Sequence, residues 1–113
     1  MSAITTHILD TSRGRPASGV TVVLEQHTSD GHRELGRGET DADGRLRTLL
    51  PMGEPLTGGV YRLTFHTGGY FARGGVEAFY PEVSVIFEVR DPAQHYHVPL
   101  LLNPYGFSTY RGS

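Results

Sequence analysis

The chain contains no cysteine. That excludes disulfides, thiolate zinc sites, iron–sulfur ligation and a cysteine nucleophile together. Lysine is also missing, since all ten basic residues are arginine, which removes Schiff-base chemistry and a phosphate-loop lysine. No apolar run approaches the roughly 20 residues of a membrane span, and the start MSAITTHILD has no basic segment leading into an apolar one. Ten basic against twelve acidic residues leave a net charge of −2, too balanced for a nucleic-acid or acidic-membrane partner. The expectation is a soluble, cytoplasmic protein whose chemistry rests on His, Arg, carboxylates or hydroxyls.

What is present is turn-forming residues and short β-prone runs. Fifteen Gly and seven Pro are spread over 113 residues, about a fifth of the chain against a usual ~12%. This length predicts one domain, residues 1–113, with a core needing no covalent staples. Strands are expected at Ile4–Asp10, Val20–Gln26, Arg33–Thr40, Arg45–Leu49, Val60–His66, Val83–Val89 and Gln94–Leu102, with a last one ending near Arg111. RGRPASG (13–19), Ser29–Gly31, Asp41-Ala42-Asp43-Gly44 and Asn103-Pro104-Tyr105-Gly106 read as turns, and Gly68–Gly75 as a short helix or irregular crossover. Eight short strands in two sheets make a mainly β, antiparallel sandwich.

Side chains alternate across a strand, so His95, His97, Pro99 and Leu101 share one face and Tyr96, Val98, Leu100 and Leu102 the other. The second face is core; the first carries two imidazoles. His7 shares a face with Thr5 and Leu9 in the first strand. Histidines on strands are often packing or surface groups, but neutral imidazoles also serve as bases or ligands. A metal set of His7, His95 and His97 can be drawn, although no carboxylate stands at a ligand spacing. Arg45 and Arg47 share a face, and either guanidinium could clamp a planar, carbonyl-rich ligand. His27, His32 and His66 form no constellation, and no G-x-S-x-G or phosphate-loop context occurs.

Three blocks, HILDTSRGRPASGV (7–20), TDADGRL (40–46) and HYHVPLLLNPYGFSTYRGS (95–113), resemble the transthyretin-like 5-hydroxyisourate hydrolase family. The resemblance covers essentially the whole chain, and the final Tyr-Arg-Gly-Ser is the tail that separates this enzyme from the hormone carrier transthyretin. It implies a transthyretin-like eight-stranded β-sandwich with a short helix after the fifth strand, assembled as a homotetramer, a dimer of dimers, around a central channel. It implies catalytic roles for His7, Arg45 and His97, pocket-lining roles for Tyr110 and Ser113, and a small-molecule substrate, 5-hydroxyisourate. No metal or organic cofactor is implied. Opening that ring requires a base to activate water and a fixed cation for the developing charge, for which His7 or His97 and Arg45 are suited. A histidine base predicts loss of activity below about pH 6. The alternative is a transthyretin-like carrier of a small ligand, without catalysis.

Overall fold

A computed structural model describes residues 3–113, which form two packed sheets. The strands are β1 (Ile4–Asp10), β2 (Arg15–Pro16), β3 (Thr21–Thr28), β4 (Gly31–Glu39), β5 (Arg45–Leu46), β6 (Gly59–Phe65), β7 (Val83–Val89), β8 (Tyr96–Asn103) and β9 (Gly106–Thr109), with one helix, α1 (Thr67–Arg73), between β6 and β7. The first sheet runs β2-β1-β8-β9, with β5 also paired to β1; the second runs β4-β3-β6-β7. This is the expected mainly β sandwich with one short helix.

Alternation explains how the core forms. Ile4 faces Tyr96, Thr6 faces Val98 and Ile8 faces Leu100 across the β1–β8 pair, and all six are buried. Opposite them, Val22, Phe65 and Val83 form one row across the second sheet and Leu24, Leu63 and Val85 the next. Burying a side chain of this size contributes roughly 1.5–3 kcal/mol. The polar intruder Thr6 is satisfied, its hydroxyl donating to the Val98 carbonyl at 2.6 Å.

Two features depart from the expected pattern. β1 and β8 run parallel, whereas every other pairing is antiparallel. The segment 13–19, expected as a pure turn, contributes the extra strand β2, making nine among the described residues. β5 is also shorter than expected, stopping at Leu46 and not Leu49. One edge of β1 is shared end to end: Leu9 and Asp10 pair with β2, Thr6 and His7 with β5. Only Ile8 lies between them, so neither short strand can lengthen toward the other.

Helix α1 has the sequence TGGYFAR and no side-chain cap at its start. Two glycines weaken it by roughly 1 kcal/mol each relative to alanine, so tertiary contacts must hold it. Phe71 is buried in the core, Arg73 donates to the Gly19 carbonyl at 2.6 Å, and the Tyr70 hydroxyl donates to Asp10 Oδ2 at 2.7 Å. Burial opposes the charge on Asp10. Even so, hydrogen bonds from the Ser12 and Tyr70 hydroxyls and from the Arg13 and Ser12 amides outweigh it and hold the carboxyl below its usual range.

Thr67 begins α1 fully buried, and its Oγ1 has no hydrogen-bond partner among the described residues. An orphaned buried hydroxyl costs about 1–3 kcal/mol. Thr67→Val keeps the shape and removes the polar atom, so it should stabilise the protein by ~1 kcal/mol, read by thermal unfolding as a Tm higher by about 4 °C or more.

Candidate active site

The polar face of the first sheet brings together several of the residues singled out in the sequence. The β1–β8 register sets Thr5 beside His97, and the β1–β5 register sets His7 beside Arg45. Because these pairs are in register, odd-numbered side chains from three strands project to one side, away from the core. There Thr5, Arg45, Arg47, His95 and His97, with Thr6 and Ser113 of the tail, line an open cavity of about 340 Å³.

The turn before β5 aims the guanidinium. Asp41 Oδ1 accepts from the amides of Asp43 at 2.9 Å and Arg45 at 3.0 Å, and the Gly44 amide donates to the Asp41 carbonyl. The Arg45 amide, above all, lowers the Asp41 pKa; burial works against this, and the Asp43 amide and the Arg47 and Arg45 charges add to it. Gly44 is required here twice over. Its φ of +75° is left-handed, and a Cβ would sit 2.4 Å from the Ile8 carbonyl oxygen. His7 fastens the turn from the other side, its Nε2–H donating to the Asp43 carbonyl at 2.9 Å.

His97 is held from two directions. Thr5 Oγ1 lies 2.8 Å from its Nδ1 and 3.2 Å from Nε2 of His95, and the two imidazole rings are stacked with centroids 6.5 Å apart. The carboxy-terminal tail closes the other side. The Gly112 amide donates to the His97 carbonyl at 2.8 Å, and Arg111 donates to Gln94 Oε1 at 2.8 Å while covering the Tyr96 ring. This folding back brings Ser113 into the cavity. Burial, and then the charges of Arg45, His7 and His95, lower the His97 pKa, so the ring is held neutral. With Nδ1 engaged by Thr5, Nε2 is the nitrogen left to act in the cavity.

Of the residues singled out from sequence, Arg45, His97 and Ser113 line the same cavity. His7 stands immediately beside them, through its pairing with Arg45 and its charge on His97. Tyr110 lies elsewhere, 57% exposed, in a groove of about 280 Å³ between β7 and the tail. Among the described residues, no three of the histidines and carboxylates converge as a metal-ligand set, and His95 and His97 instead share Thr5. Thr5 is the residue sequence reasoning passed over. Alternation puts it on the His7 face, but its link to His97 depends on a register between strands some 90 residues apart.

A family model described as HIUase/Transthyretin family matches residues 4–112. The chain belongs to that family. Among HIUase/transthyretin relatives, the 5-hydroxyisourate hydrolase of Salmonella dublin is 48% identical over 110 residues, covering 97% of this chain and 80% of its own. The solved structure of the Klebsiella pneumoniae 5-hydroxyisourate hydrolase is 42% identical, with a TM-score of 0.85 over 97% of this chain and 98% of that one. Transthyretin from Sparus aurata superposes with a TM-score of 0.91, over 99% of this chain and 97% of its own, but is only 31% identical. Within the HIUase/transthyretin family, then, backbone shape does not separate hydrolase from carrier. Side chains must.

Proposed function

We propose that this chain is a 5-hydroxyisourate hydrolase of urate degradation, opening the six-membered ring of its substrate to 2-oxo-4-hydroxy-4-carboxy-5-ureidoimidazoline. The observation that carries the reading is the cavity in which Arg45, His97 and Ser113 converge around an imidazole held neutral. Water adds to the acyl carbon while its proton passes to His97 Nε2. Arg45 meets the negative charge growing on the carbonyl oxygen, and as the C–N bond breaks the ring nitrogen takes the proton back from His97. Ser113 supplies a hydroxyl to the bound ring. His7 locks its own Nε2–H onto the turn that carries Arg45 and adds its charge to the field that keeps His97 unprotonated.

The same reading takes residues 1–113 as one domain, acting in the cytoplasm as a homotetramer. The cavity is open, and β7 and β9 end their sheets with Ile86 and Phe107 exposed, as is Tyr110 just past β9. Strand edges of this kind pair readily with further copies. A second subunit would wall the cavity, and sedimentation should show a tetramer; a fully active monomer would refute the assembly. Among the described residues no helix is long and apolar enough to cross a membrane.

The direct test generates 5-hydroxyisourate in situ from urate and follows the decay of its ultraviolet absorbance against the spontaneous rate. Micromolar protein should accelerate that decay. Unchanged decay would leave the small-ligand carrier, to which the likeness to Sparus aurata transthyretin points.

A further inference from the structure

The Thr5 hydroxyl stands between two imidazoles and has one proton to give. Thr5 is 4% exposed, and its Oγ1 lies 2.8 Å from His97 Nδ1 and 3.2 Å from His95 Nε2. At a pH where both rings are neutral, both could donate to the hydroxyl's lone pairs, but the buried Thr5 proton would then have no acceptor among the described residues, so every group is satisfied only if one ring donates to the hydroxyl and the other accepts from it. Two arrangements satisfy this, and they leave opposite faces of His97 toward the cavity. If Thr5 donates to His97, then His97 carries its proton on Nε2 and presents a donor. If Thr5 accepts from His97, Nε2 presents a lone pair.

The groups around His97 decide between them. Facing it are His7 from β1, Arg45 and Arg47 from β5 and the residue after Leu46, and His95 from β8; Arg111 of the tail reaches the His95 carbonyl at 3.4 Å. A field of guanidinium donors favours a lone pair over an N–H at the nitrogen that meets it. We propose that Thr5 is a positioning residue: it accepts a hydrogen bond from His97 Nδ1–H and donates its own proton to His95 Nε2, so that His97 offers an unprotonated Nε2 to the cavity. This rests on the reading of His97 as the base.

The arrangement also provides an outlet for charge. When Nε2 takes the proton from water, Nδ1–H can pass to the Thr5 oxygen as the Thr5 proton passes to His95 Nε2. His97 becomes neutral, protonated on Nε2, and the positive charge rests on His95. His95 is exposed, so water can solvate that charge away from Arg45. Reversing the two transfers returns the proton to the leaving nitrogen.

Thr5→Val removes the hydroxyl without changing the shape. It should lower kcat by about 10- to 100-fold with KM within about threefold, while Thr5→Ser keeps kcat within about threefold of the parent. His95→Phe removes the acceptor of the Thr5 proton at the cavity's edge, so it frees the hydroxyl to donate to His97 and should lower kcat as Thr5→Val does. Nitrogen-15 NMR of the imidazoles at pH 8 reads the cause without substrate. In the parent, His97 should be protonated on Nδ1 and bare on Nε2, and in both variants its proton should move toward Nε2. A parent His97 protonated on Nε2, or a Thr5→Val protein keeping parental rate and tautomer, would overturn the proposal. If the parent fails to accelerate hydroxyisourate decay, the hydrolase reading falls while the NMR result still decides the role of Thr5.

Discussion

His97→Gln is expected to lower kcat/KM by about 10³-fold, measured against the spontaneous decay of 5-hydroxyisourate, with the fold retained by circular dichroism. Glutamine keeps a polar group of similar reach at a half-buried position on β8, but it cannot take a proton near neutral pH. The parent protein should lose activity in acid, and the sign follows from the site. Burial and the neighbouring charges lower the His97 pKa, so Nε2 stays unprotonated to a lower pH than an ordinary histidine, whose pKa is near 6.5. kcat/KM should therefore be flat from about pH 7 to 8 and fall on a limb centred below about 6.5. Arg45→Gln removes the largest of the neighbouring charges acting on that ring. It should move the limb upward as well as slow the reaction. A profile flat from pH 5 to 8 in the parent would remove histidine from the role of base.

Gly112→Ala should abolish most activity while sparing stability. The backbone at residue 112 is of a kind that alanine adopts, since Gly112 is not among the residues of positive φ. The difficulty is contact: a Cβ there would stand 2.6 Å from His97 Cδ2 and 3.2 Å from Pro99 Cγ. Either the imidazole yields, breaking its hydrogen bond to Thr5, or the tail lifts, withdrawing Ser113 and the amide bonded to the His97 carbonyl. Both routes spoil a site that needs placement to a fraction of an ångström, so kcat/KM should fall by about 100-fold. The tail is largely exposed, so Tm should move by no more than about 4 °C, the equivalent of ~1 kcal/mol.

Much of this was readable from residue order, and the unread part has a common cause. Alternation within a strand needs only local sequence, which is why Val83–Val89 and the two faces of β8 follow directly from it. The Asp41–Gly44 turn is likewise legible because an Asx side chain bonding its own backbone and a left-handed glycine are local chemistry. Pairing between distant strands is different. Nothing in Ile4–Asp10 says that it runs parallel to Tyr96–Asn103, or that its other edge is divided between β2 and β5. For that reason Thr5 was placed on the His7 face but not singled out as a site residue. Tyr110 shows the converse, since the resemblance to the family placed it at the pocket while the fold of the chain sets it in another groove.

The parallel pairing of β1 with β8 has a consequence in time as well as in space. Thr5 and His97 are 92 positions apart, so their meeting closes nearly the whole chain into one loop. Closure of that kind pays its entropy before any contact offsets it, and it makes for slow, millisecond-to-second folding. The β3–β4 hairpin and the β6–β7 pair can form while the first strand is still unplaced, but the face that carries His7, Arg45 and His97 cannot. On a ribosome β1 precedes β8 by most of the chain, so the pairing that joins Thr5 to His97 waits until β8 has been made. The candidate site is therefore assembled only once the two ends of the chain have met.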